Sequence, residues 1–116
     1  MRAAAGCPPQ CAVLAADRGA DQASGTRRIQ GEHFDIEFVR IARGETVGRS
    51  PGPDAGEEVA AVLEGAMHVE SGDERYVLRA GEGIVIPPGQ GSRWSAPETG
   101  ALLYRVIVRA GATAAP

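Results

Sequence analysis

The sequence predicts an all-β fold, a small antiparallel barrel or sandwich, on three observations. Short apolar or alternating runs recur along residues 33–108. Gly, Pro, Ser and Asp turn signals separate these runs at regular spacing. No stretch among them holds a helical period. About seven or eight short strands result, a pattern that sandwiches and barrels share and that periodicity does not divide between them.

His33-Phe34-Asp35-Ile36-Glu37-Phe38 alternates strictly, the period of a half-buried strand. It predicts Phe34, Ile36 and Phe38 on the core face and His33, Asp35 and Glu37 on the polar one. Val39-Arg40-Ile41 then shifts the phase by one, as a bulge would. Arg43-Gly44-Glu45 reads as a turn, and Arg49 to Gly56 as a Gly/Pro loop. Val59 to Leu63 is a short apolar strand ended by Glu64-Gly65. Met67-His68-Val69-Glu70 alternates again, Ser71-Gly72-Asp73-Glu74 is a hairpin turn, and Arg75 to Leu78 returns. Ile84-Val85-Ile86, a strand opening at Arg93-Trp94, and Leu102 to Val108 complete the set. Met67, Val69, Ile84 and Ile86 are expected to face inward. Three regions follow: a flexible N-terminal segment 1–27, a barrel domain 28–110, and a tail 111–116.

Composition narrows the function classes. A net charge of -3 gives no basic face for a nucleic-acid partner. All 12 positive charges are arginine, which excludes Schiff-base chemistry on a lysine. Cys7 and Cys11 lack a second Cys/His pair at zinc-site spacing and read as thiols in a loose tail. Pro8 and Pro9 interrupt any apolar run near the N-terminus, and no segment reaches membrane-spanning length. The expectation is a cytoplasmic protein.

Two motifs between residues 44 and 94 carry a resemblance. Glu58 and Gly65 stand with six residues between them, and Gly81 and Pro87 with five. Pro87-Pro88-Gly89 supplies Pro-x-Gly, and the Ser71–Glu74 hairpin falls between the two motifs. In order and spacing these residues resemble the two sequence motifs of the cupin family. The resemblance implies a cupin-like barrel, a jelly roll of the double-stranded β-helix type. The glycines and Pro87 also make sense without it. Small barrels need sharp corners, and proline has no N–H to continue a ladder.

The same resemblance exposes what is missing. In metal-binding cupins three His and one Glu point into the barrel. Here the three His positions fall at Gly52, Asp54 and Ser92, or at Pro51 and Pro53 for the first two under the longer spacing. The family's Asn position falls at Ala96, and only Glu58 keeps its ligand type. Imidazoles supply most of the affinity of such sites, so no metal or other cofactor is expected. An oxygen-ligand site on Asp54 and Glu58 is the weaker reading.

Glu58, aimed into a barrel without a metal, must pair with an arginine, take a proton or sit in water. Arg49 and Arg93 are the candidate partners, although Arg49 also reads as a solvated loop charge. His33 and His68 alternate with apolar neighbours and belong on the solvent side. Glu58, Ser92, Trp94 and Arg93 are the expected ligand-binding residues, although alternation alone turns Arg93 to the other face of its strand. Trp94 either stacks on a ligand or fills the barrel mouth.

Two functions compete. One is a non-catalytic module that binds or senses a small polar molecule. The other is a metal-independent acid–base enzyme, with Glu58 as the catalytic group and Tyr76 or Tyr104 as its partner. A metal-dependent dioxygenase or isomerase with altered ligands is third. A small chain has little core to spare, and Val59, Ala61 and Leu63 form a second apolar face that needs cover. A homodimer is therefore expected, with no membrane or nucleic-acid partner.

Overall fold

A computed structural model describes residues 11–16 and 23–109. Nine strands are found among them and no helix: β1 (Gly25–Gln30), β2 (Phe34–Ile41), β3 (Thr46–Arg49), β4 (Glu58–Glu64), β5 (Ala66–Ser71), β6 (Glu74–Arg79), β7 (Gly83–Ile86), β8 (Ser92–Ser95) and β9 (Ala101–Val108). They form a five-stranded sheet in the order β1-β2-β9-β4-β7 and a four-stranded sheet in the order β3-β8-β5-β6. Every pairing is antiparallel. The expected all-β double-stranded β-helix is the fold. β1 starts at Gly25 and so runs across residue 28, where the barrel was expected to begin.

The two sheets close on one apolar core. β5 contributes Met67 and Val69, β7 contributes Ile86 with Ile84 packed beside it, and β9 contributes Ala101 and Leu103. Met67, Val69, Ile84 and Ile86 are the inward residues expected from alternation. Val62, Val39 and Ile41 join them, and Trp94 of β8 is fully buried between its register partners Val47 and Val69.

β2 departs from the expected phase. Its ladder with β9 runs without a break from Phe34↔Val108 to Ile41↔Ala101, so there is no bulge at Val39. Asp35, Glu37, Val39 and Ile41 therefore share the inner face. Phe34, Ile36, Phe38 and Arg40 share the outer one. Counting acidic residues as solvent-facing gave the opposite assignment. Glu37 faces inward because arginines on both neighbouring strands meet it there. β1 and β3 were not anticipated as strands. β3 is only four residues long, and Gly48 breaks its apolar pattern.

Two glycines fix corners at opposite ends of the barrel. At Gly65, between β4 and β5, φ is +76° and a Cβ would lie 2.8 Å from the Gly100 carbonyl oxygen. At Gly91, φ is +70° and a Cβ would lie 2.4 Å from the Arg49 carbonyl oxygen. Only glycine permits this approach, and it lays the Pro87–Gly91 segment directly against the end of β3. Backbone bonds from Gly52 N–H to the Gly89 carbonyl (2.9 Å) and from Gly89 N–H to the Ala55 carbonyl (2.7 Å) tie the following loop to the same segment.

Candidate functional site

The inner face of the five-stranded sheet changes character along its length. At one end lie Ile41, Ala101, Leu103 and Val62; at the other lie Asp35, Glu37, Arg105 and Glu58. Register brings the charged residues together: Glu37 pairs with Arg105 across β2 and β9, and Glu58 of β4 lies opposite Ile107 of the same β9.

Glu58 is completely buried. Its Oε1 accepts from Arg49 Nη1 at 2.9 Å and from the Ser92 hydroxyl at 2.8 Å. Its Oε2 accepts from Trp94 Nε1 at 3.2 Å and from Arg105 Nη1 at 3.5 Å. An ionised carboxylate has about four acceptor positions, and here all of them face donors. Arg105, itself buried, gives Nε to Glu37 Oε1 at 2.8 Å, and Arg28 gives Nε to Glu37 Oε2 at 2.8 Å. The result is one chain of alternating charge: Arg28, Glu37, Arg105, Glu58, Arg49. Next to it Arg109 Nη1 donates to Asp35 Oδ1 at 2.7 Å and its Nη2 bonds the Gly31 carbonyl. Burial without partners would cost each carboxylate several kcal/mol; alternation lets each charge sit in the field of its opposite.

A cavity of about 630 Å³ opens over this chain. Arg28, Arg49, Arg105 and Arg109 line it with Glu37 and Asp35; Thr26, Val47, Gly48, Ile107 and Val108 supply neutral wall, and Asp54 stands at its rim. The volume is that of a small-molecule site.

Of the residues singled out by sequence, Glu58, Ser92 and Trp94 do meet. They do so as a hydrogen-bonded cluster behind the cavity, and Trp94 offers no face to a ligand because none of it is exposed. Arg93 points to the opposite, solvent side of β8, in register with Glu70. Strand alternation puts it there, one residue from Ser92 and Trp94. Arg49 is no solvated loop charge: it ends β3 with its side chain 16% exposed. His33 and His68 are exposed, as expected. Cys11 is an exposed free thiol, while Cys7 lies outside the described residues.

The catalytic pairing of Glu58 with a tyrosine is not assembled. Tyr104 lies on the outer face of the sheet against Phe38, with ring centroids 5.2 Å apart. Tyr76 is exposed on β6 and bonds Glu74. That bond, and the charge of the same carboxylate, push its phenol above the usual value.

Nor do the residues fit a transition metal. The positions that hold histidines in metal-binding cupins are Gly52, an exposed Asp54 and Ser92 here, and Ser92 is spent on Glu58. Both Glu58 oxygens are occupied by N–H and O–H donors. No group of three or more His, Cys, Asp or Glu side chains able to hold a metal occurs among the described residues.

Arg28, Glu37 and Arg105 were missed by sequence reasoning. Arg105 carried a signal: it is the only charge in the apolar run Leu102 to Val108. A lone arginine in a core strand calls for a buried acid opposite it.

A closed pair of antiparallel sheets with an inward glutamate at the start of β4 defines a small antiparallel β-barrel. The cupin domain family model matches residues 37–108, and the chain belongs to that family. Among solved structures it is similar to an RmlC-like cupin family protein from Methanocaldococcus jannaschii, at 13% identity over 81% of this chain and 88% of that one, with a TM-score of 0.69. It is also similar to the TT1209 protein from Thermus thermophilus, at 20% identity, 80% and 90% coverage and a TM-score of 0.70. A third is the Cupin_2 domain of an XRE family transcriptional regulator from Enterobacter cloacae, at 15% identity, 75% and 97% coverage and a TM-score of 0.65. At these identities the likeness establishes the fold alone. No curated protein matches the chain.

Proposed function

We propose that this barrel is a non-catalytic binding module for a small polar molecule, seated in the charged cavity at the open end. The observation that carries the reading is the state of Glu58. Arg49 and Arg105 supply the positive charge that a metal supplies elsewhere in the family, and every Glu58 oxygen is already bonded. A carboxylate so engaged has no oxygen free to move a ligand's proton. Beside it the cavity retains exposed guanidinium and carboxylate groups that can orient a polar guest. The module requires no metal cofactor.

A thermal-shift screen with sugars, amino acids and small organic acids tests this. A ligand at a hundred times its Kd adds about 2.7 kcal/mol of stability, which moves the midpoint of a domain this size by roughly ten degrees or more. Near-stoichiometric metal in purified protein, lost on Glu58→Ala, would overturn the reading. So would turnover of a bound compound abolished by Glu58→Gln in a variant that still folds and binds it.

The protein is further proposed to be a homodimer. The outer face of the five-stranded sheet displays Val59 (47% exposed), Val85 (60%) and Phe34 (43%), flanked by Leu63 and Ile36. Among the described residues no helix is long and apolar enough to cross a membrane. A cytoplasmic setting is part of the same proposal.

A further inference from the structure

The charged chain does not balance. Arg28, Arg105 and Arg49 carry three positive charges; Glu37 and Glu58 carry two negative ones. The neighbouring pair Arg109 and Asp35 neutralises itself. Asp54, the remaining acid of the cavity, is exposed at the rim, where solvent screens it. Within the ion chain one guanidinium, that of half-exposed Arg28 at its end, therefore has no carboxylate of its own.

The unused hydrogen-bonding capacity has the same sign. Arg28 lines the cavity with a half-exposed side chain and spends only Nε on Glu37, which leaves both terminal nitrogens without a bond among the described residues. Arg105 spends Nε and Nη1, which leaves Nη2 on the cavity side. Glu37, by contrast, has both oxygens engaged. The deep part of the cavity thus offers donors from two guanidiniums and little free acceptor. Val47, Ile107 and Val108 beside them form an apolar wall for a short carbon body, and Thr26 adds a hydroxyl.

We infer that the cavity binds a small organic monocarboxylate, its head group held between Arg28 and Arg105 and its carbon body against Val47 and Ile107. This rests on the proposed binding role and narrows it to one ligand class. A guanidinium fork matches a carboxylate in plane and charge. One negative charge completes the balance.

The experiment is titration calorimetry with a series of straight-chain and 2-hydroxy monocarboxylates, each against its primary amide, with a set of neutral sugars as a separate arm. Expected is that acids bind and their amides do not, with affinity falling as salt rises. Arg28→Gln should weaken acid binding about tenfold to a hundredfold, the scale of a lost charged hydrogen bond. Arg28 also donates to buried Glu37, so a lower unfolding midpoint without ligand is expected of this variant, and its affinity is compared at a temperature where it is fully folded. Arg28→Lys, which keeps the charge and loses the fork, should restore only part of the affinity. Equal binding of acid and amide would overturn the inference, as would acid binding that Arg28→Gln leaves unchanged. Sugars bound while every acid fails would overturn it too and leave the binding role standing. Failure of all three sets would remove both.

Discussion

The two faces of the five-stranded sheet invert the usual distribution of polarity. The inner face carries buried Glu37, Arg105 and Glu58, while the outer face exposes Val59, Val85 and Phe34. What decides is partnership rather than polarity. An inward charge is tolerable when an opposite charge meets it from the next strand, and an outward apolar residue is tolerable when something covers it or when its area is small. The inner face holds a second contrast along its length, apolar packing at the Leu103 end and ion pairs at the Glu58 end.

Removing the centre of the ion chain should have the largest effect. Glu58→Ala leaves Arg49 and Arg105 without their shared carboxylate and strands the Ser92 and Trp94 donors. A loss of about 3–5 kcal/mol is expected on denaturant unfolding; a loss under about 1 kcal/mol would mean that water already does the work of the carboxylate. At the other end of the same face, Leu103→Ala should cost about 2–5 kcal/mol through a cavity. That loss should be independent of ionic strength, which separates it from the ionic end. Trp94→Phe keeps most of the packing and deletes one donor to Glu58, so about 1 kcal/mol is expected.

The outer face should respond in a different observable. Val59→Asp should change unfolding of the monomer by no more than about 0.5 kcal/mol, yet convert the species seen by sedimentation from dimer to monomer. If the sedimentation coefficient is already that of a monomer in the unaltered protein, exposed valine on this face is ordinary surface and the contrast between faces is one of charge alone.

How far these faces were legible differs strand by strand. β5 and β7 were legible because their inward residues are apolar and set apart by alternation, so the pattern has a single reading. β4 was legible because Glu58 came from motif spacing and Val59 to Leu63 from the apolar run. β2 was misread because its inner face is acidic at one end and apolar at the other. A single-strand pattern has no access to the arginines on β1 and β9 that make Glu37 an inward residue. Arg105 was overlooked for the complementary reason, one charge hidden in an apolar strand. Arg49 was placed in a loop because Gly48 and the following Gly/Pro residues mask the short β3. The part of the site set by motif spacing was thus visible, and the part set by cross-strand register was not.

The close approach of Gly91 to the Arg49 carbonyl has a consequence for inheritance. Arg49 reaches Glu58 from a strand end whose position is fixed by a glycine 42 residues further along the chain. A substitution at Gly91 would push that strand end outward and carry the guanidinium with it, without altering any residue of the ion chain. Gly91 is therefore expected to tolerate no side chain whatever residue stands at 49, because the atoms it meets are backbone.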